Sequence, residues 1–229
     1  MSVVVLQGSD ELIGTVPISN KRGCRIELVT VRSSYLLDPL TRILTSLPDH
    51  IRSHSVRSAI VTQILARQVN DSPVGRDTFD CTARLGCLYH HFGESLGKPR
   101  DETQIPLLSE DILKKHLSQK ALNNNIDADM LLDIVRNSCE RYDGSGYPNK
   151  LKGDEISLAA RLTGLACTLD RLLITNRDTM AKNTAKIAKD IQDNGMALFG
   201  ADAMDCYDQT HETIVALYLN HQQHLSSWT

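Results

Sequence analysis

The apolar positions of this chain change period near residue 38. Before it the apolar runs are short: Val3 to Leu6, Gly14 to Ile18 with Pro17 inside it, and Arg25 to Val31. In the last of these Ile26 and Leu28 face one way and Arg25 and Glu27 the other. Such alternation predicts short strands, with Asn20 to Gly23 as a turn. After residue 38 the spacing becomes helical. Val56, Ile60 and Ile64 share one face, with Arg57 and Arg67 on others. Thr78 to His91 is apolar on nearly every side, as a central buried helix would be. Gly93 to Pro106 reads as a loop, and Ser109 as the N-cap of a helix that places Ile112, Leu113, His116 and Leu117 together. Asp127 and Ser157 are the expected caps of two further helices. A helix bearing Lys182, Lys186 and Lys189 is expected to stop at Asn194-Gly195, and a last helix to cover Asp202 to Gln222. The pattern predicts a mainly α protein: a small β-rich segment over 1–37 and an all-helical domain over 38–229.

Composition narrows the function classes. With 229 residues and 41% hydrophobic content the chain can bury a sizeable core, and with aromatics at 4% that core must be aliphatic. A net charge of −3 gives no electrostatic footprint for nucleic acid. No apolar run suits a bilayer span or a signal peptide, so no membrane partner is expected and the expected location is cytoplasmic. The six cysteines form no C-x-x-C pair and read as free thiols in a reducing compartment.

Candidate chemistry lies in the histidines. A histidine on an apolar helix face is ordinarily a hydrogen-bonded core residue. Here His54 opens an amphipathic helix, His90-His91 closes a buried one, and His116 lies on the apolar face of a third. Imidazoles from separate helices can converge inside a bundle, where metal sites are commonly built.

The run Glu140-Arg141-Tyr142-Asp143-Gly144-Ser145-Gly146-Tyr147-Pro148 carries more information than any other. With Leu151-Lys152-Gly153 after it, it resembles the signature of the HD-GYP phosphodiesterases, which hydrolyse cyclic di-GMP at a multinuclear metal site. His54-Ser55-Val56-Arg57 resembles the family's H-S-x-R, and Leu88-Tyr89-His90-His91-Phe92-Gly93 its L-L-H-D-I-G. Ile112-Leu113-Lys114-Lys115-His116 resembles I-M-K-x-H, Leu165 to Asp170 resembles V-A-D-V-F-D, and Arg177 matches the arginine of a D-R-P-Y segment. The resemblance spans roughly residues 50 to 207 and implies an HD-type helical bundle.

Carried over residue by residue, it implies a depleted site. His54, His90 and His116 persist as vestigial metal positions. His91 stands where the bridging aspartate belongs, Ser138 and Cys139 replace a histidine pair, Cys167 replaces a late aspartate, and Glu94 replaces a lysine. A carboxylate can bridge two cations, whereas a neutral imidazole offers one lone pair and no charge. Hydrolysis by the family mechanism is therefore expected to be lost, and no catalytic residue is assigned. No cofactor is expected, with one alternative. His54, His90, His116, Cys139 and Cys167 form a nitrogen and sulfur set that suits a single zinc ion. The plainer reading is that the two thiols fill space.

The preserved loop beside a depleted site implies recognition. Arg141, Tyr147, Arg177 and Lys182 are the candidate ligand contacts, the last two doubling as an ordinary solvated basic face. Gly144, Gly146, Tyr147 and Pro148 are the candidate docking loop. By the resemblance, the partners are signalling proteins such as diguanylate cyclase domains, cyclic di-GMP, or both. The rival reading is an active cyclic di-GMP phosphodiesterase with an altered, mononuclear metal site.

Overall fold

The structure, a computed structural model, describes residues 18–19, 25–26, 38–70, 72–97, 101–117, 126–175 and 180–222. Its helices are α1 (Asp38–Ser46), α2 (Asp49–Ala66), α3 (Arg76–Tyr89), α4 (Ile105–His116), α5 (Ala128–Asn137), α6 (Leu158–Thr175), α7 (Met180–Phe199) and α8 (Ala201–Gln222). None of them is long and apolar enough to cross a membrane. The mainly helical expectation thus holds. Of the β-rich segment expected over 1–37 only one short antiparallel pair is described: a two-residue β1 (Ile18–Ser19) against β2 (Arg25–Ile26), Ile18 opposite Ile26. The other strands expected over 1–37, and the turn between them, lie outside the described residues.

The interior is aliphatic, as the composition demands, and divides into two clusters. In one, Ile64 and Leu65 of α2 pack with Leu162, Leu165 and Leu169 of α6 and with Ile191, Met204 and Ile214 of α7 and α8. In the other, Leu40 and Leu44 of α1 meet Leu85 and Leu88 of α3, Leu113 of α4, and Leu131 and Val135 of α5. Each such buried side chain contributes about 1.5–3 kcal/mol relative to exposure. The polar site described below sits where α2, α3 and α6 meet.

Local signals fixed several ends as expected. The Asp127 carboxylate accepts from Met130 N at 2.8 Å, and Ser157 Oγ accepts from Ala160 N at 3.2 Å. Others were overridden by packing. Ser109 is no cap: α4 begins at Ile105, with Pro106 in its first turn, and Ser109 lies buried within it. Its hydroxyl donates to His90 O at 2.9 Å and accepts from Gly93 N at 2.7 Å, so it pins the end of α3 instead. The α7 helix runs through Asn194-Gly195 to Phe199 and ends at Gly200, whose φ of 80° is the left-handed turn that glycine permits. Gly195 instead admits α8: a Cβ there would lie 2.4 Å from Met204 Sδ.

Gly86, in the last turn of α3, marks a closer approach. A Cβ at that position would lie 2.6 Å from Cγ2 of Ile134 on α5, a fully buried side chain with nowhere to retreat. Gly86→Val is expected to destabilise the protein by about 1–3 kcal/mol through overpacking. Urea unfolding should show this as a lower midpoint with an unchanged slope.

Candidate functional site

Asp170 is a lone carboxylate on the apolar face of α6, and it is buried. His54 Nδ1 lies 2.6 Å from its Oδ2, and Tyr218 of α8 donates to its Oδ1 at 2.6 Å. Arg57, one turn beyond His54 on α2, donates Nε to Oδ1 at 2.7 Å and Nη2 to Oδ2 at 3.1 Å. Burial would push the Asp170 carboxyl upward, but the bonds to His54 and Arg57 outweigh it and hold it below its ordinary value. Arg57, expected on a different face from the core, is thus drawn inward by a buried charge.

These bonds also set the imidazoles. With His54 Nδ1 committed to Asp170, its Nε2 faces the interior, buried and without a hydrogen-bond partner. Burial works against charge on His54, and the Asp170 bond together with the neighbouring Cys167 overcomes it, raising the pKa to about 9. His90 follows α3 as its C-cap residue, and its Nδ1 is bonded to the carbonyl of Cys87. That leaves His90 Nε2 to meet Cys167 Sγ at 3.3 Å. Cys167 stands one turn before Asp170 on α6. The bond from Cys87 lowers its pKa well below the usual thiol value, His90 and His54 add to this, and burial opposes it. One ligand atom from each of His54, His90 and Cys167 lies within 4.8 Å of the other two.

His91 joins this group from the side, its ring centroid 4.0 Å from that of His90 and 5.4 Å from that of His54. Burial and then the charge of His90 lower its pKa to about 4, and its Nε2 has no partner. Its Nδ1 lies 2.8 Å from Glu94 Oε1. A metal pair held by a shared carboxylate does not fit this arrangement. Asp170 is saturated by His54, Arg57 and Tyr218, Glu94 is engaged with His91, and His91 itself cannot bridge.

Of the residues singled out in the sequence, His54, His90 and Cys167 converge. His116 does not join them: it closes α4 in a last turn that carries Lys114 and Lys115 into solvent with it. Cys139 is half-buried, its thiol raised by burial, and stands outside the three-residue group. Ser138 is buried with its hydroxyl unpartnered. Arg177 lies outside the described residues, and of Lys182 only the α7 backbone is described. Asp170 and Tyr218 carry roles not anticipated. A single acid among Leu162, Leu165, Leu169 and Leu173 was the available signal for the first; a tyrosine on an apolar helix face gives no comparable signal for the second.

The glycine loop follows α5. The buried Glu140 carboxylate accepts from Asn149 N at 2.6 Å and Leu151 N at 3.2 Å, closing the loop on itself. A Cβ on Gly146 would fall 2.3 Å from Arg141 N, so only glycine lets the two backbone segments pass. Gly144 adopts φ 83°, and the Asp143 carboxylate accepts from Ser145 N at 2.8 Å. The Arg141 guanidinium lies 5.2 Å from the Phe199 ring centroid, and that of Arg161 5.1 Å from the centroid of Tyr142. Tyr147 and Pro148 are half-buried, Gly146 is buried, and Asp143, Ser145 and Lys150 are exposed on the loop.

Residues 106–201 match the HD domain family. A 3'3'-cGAMP-specific phosphodiesterase of Vibrio cholerae is 34% identical over 65 residues, or 27% of this chain and 12% of that protein. A probable cyclic di-GMP phosphodiesterase of the same organism is 43% identical over 56 residues, or 24% of this chain and 13% of that one. The matched stretches thus span a small fraction of either relative's length.

Asp170 holds α2, α6 and α8 together through charged and polar bonds with little solvent to replace them. Asp170→Ala leaves Arg57 facing an apolar interior and should cost about 3–5 kcal/mol. The loss is measurable by chemical denaturation. Cys139→Ser, outside the network, should leave stability nearly unchanged.

Proposed function

We propose that this chain, a member of the HD superfamily, is a recognition domain of cyclic-dinucleotide signalling that binds its target without hydrolysing it. The observation that carries the reading is the contrast within one small region. The glycine loop is fully built, closed by Glu140 and braced by Arg141 and Arg161. Beside it stand His91, Cys167 and a saturated Asp170, which cannot hold a bridged metal pair. The named activities of the two Vibrio cholerae relatives support a cyclic dinucleotide as the ligand class.

Two of the proposed ligand contacts have work inside the fold. Arg141 lies against Phe199 and donates to Glu140 O at 3.2 Å. Tyr147 N donates to Cys139 O at 3.2 Å, and its ring is half-buried. The exposed tip of Asp143, Ser145 and Lys150 is the surface available to a protein partner, of which a diguanylate cyclase domain is the proposed kind.

Calorimetric titration of the full chain with cyclic di-GMP, with and without Mn²⁺ or Fe²⁺, tests this. Saturable binding with no linear dinucleotide or GMP formed is expected. Metal-dependent turnover abolished by His90→Ala would overturn the non-hydrolytic reading and restore the phosphodiesterase. Absence of binding would overturn the nucleotide part and leave the loop as a protein-docking element.

A further inference from the structure

The failure of the site to suit a carboxylate-bridged metal pair does not make it inert. We propose that His54, His90 and Cys167 form a mononuclear centre for one borderline-soft divalent cation of the zinc class, with a thiolate as one of its ligands.

Two observations point inward at the same spot. The first is the donor set. A zinc ion bonds imidazole nitrogen at about 2.0–2.1 Å and thiolate at about 2.3 Å, so tetrahedral angles place neighbouring nitrogen and sulfur ligands roughly 3.6 Å apart. Cys167 Sγ and His90 Nε2 stand 3.3 Å apart, and no pair in the group exceeds 4.8 Å. Small side-chain rotations would close the remaining gap. The second is His54 Nε2, in a residue only 8% exposed, which makes no hydrogen bond of acceptable geometry. An unmet buried polar atom is destabilising, and a metal bond would satisfy it.

The surroundings match a metal ligand shell. His54 Nδ1 is held by Asp170 and His90 Nδ1 by the Cys87 carbonyl. Carboxylates and backbone carbonyls are the usual partners of the far nitrogen in metal-bound histidines, fixing tautomer and ring orientation. Arg57 stays on the far side of Asp170, so its charge is neutralised before it reaches the cluster. The N₂S composition favours zinc, or cobalt as its spectroscopic substitute, over the hard cations magnesium, calcium and manganese. Three protein donors leave one corner of a tetrahedron without a ligand from the described residues.

This inference is independent of the nucleotide reading and survives if no nucleotide binds. The test uses the full chain, purified without chelator for metal analysis and then stripped for titration with Zn²⁺ or Co²⁺ alone. About one equivalent of zinc is expected after purification. The Co²⁺ form should show intense four-coordinate visible bands and a near-ultraviolet thiolate-to-cobalt charge-transfer band. Cys167→Ser should abolish the charge-transfer band, and Cys139→Ser should leave it intact. Asp170→Asn should weaken zinc affinity about 10–100-fold, as loss of an orienting partner does. Far-ultraviolet circular dichroism of each variant separates loss of metal from loss of fold. Metal-free protein that takes up neither ion, or a charge-transfer band that follows Cys139 rather than Cys167, would overturn the proposal. So would stoichiometric uptake unaffected by Cys167→Ser.

Discussion

The buried charge of Asp170 is the constraint on which the middle of this molecule depends. A carboxylate inside an aliphatic bundle is tolerable only if its oxygens are fully bonded. Two helices supply those bonds to the acid that α6 carries: α2 through His54 and Arg57, and α8 through Tyr218. The same bonds decide which nitrogen of His54 faces the interior. Fold and site are therefore one network. The helix packing cannot change without turning the imidazole, and the imidazole cannot turn without stranding the acid.

A second layer of polar contacts surrounds the first. Ser109 of α4 holds the segment from His90 to Gly93, and the Cys87 carbonyl holds the His90 ring. The residues at the end of α3 are thereby placed by a neighbouring helix as well as by their own. Glu110, next to Ser109, is paired with Lys114 and Arg136, which ties α4 to α5 on the outside of the same corner. The corner is rigid for electrostatic reasons even though the nearby core is made of interchangeable aliphatic side chains.

Much of the helical frame was legible because its signals are local. Asp127 and Ser157 act within their own first turns, and the period of Val56, Ile60 and Ile64 needs no partner to be read. What escaped depends on residues far away in the chain. Ser109 looks like a cap until the carbonyl of His90 claims it, and Gly195 looks like a stop until Met204 needs the space. His116 shares a face with Ile112 on paper, but α4 ends there and its last turn is solvated. At the site, the resemblance identified His54, His90 and Cys167, yet Asp170 at 116 residues' separation from His54 carries the contact that organises them. Pairings over such distances leave no trace in a local pattern.

Gly146 carries a lesson that reaches past this molecule. Its missing side chain makes room for the chain's own backbone at Glu140 and Arg141. The glycines and the glutamate of the loop thus serve chain passage and closure, tasks that continue whether or not any reaction takes place nearby. A signature composed largely of such residues records how a loop is tied. It can persist unaltered after the chemistry it is used to diagnose has gone, and a search that counts signatures counts folds of the loop, not turnovers.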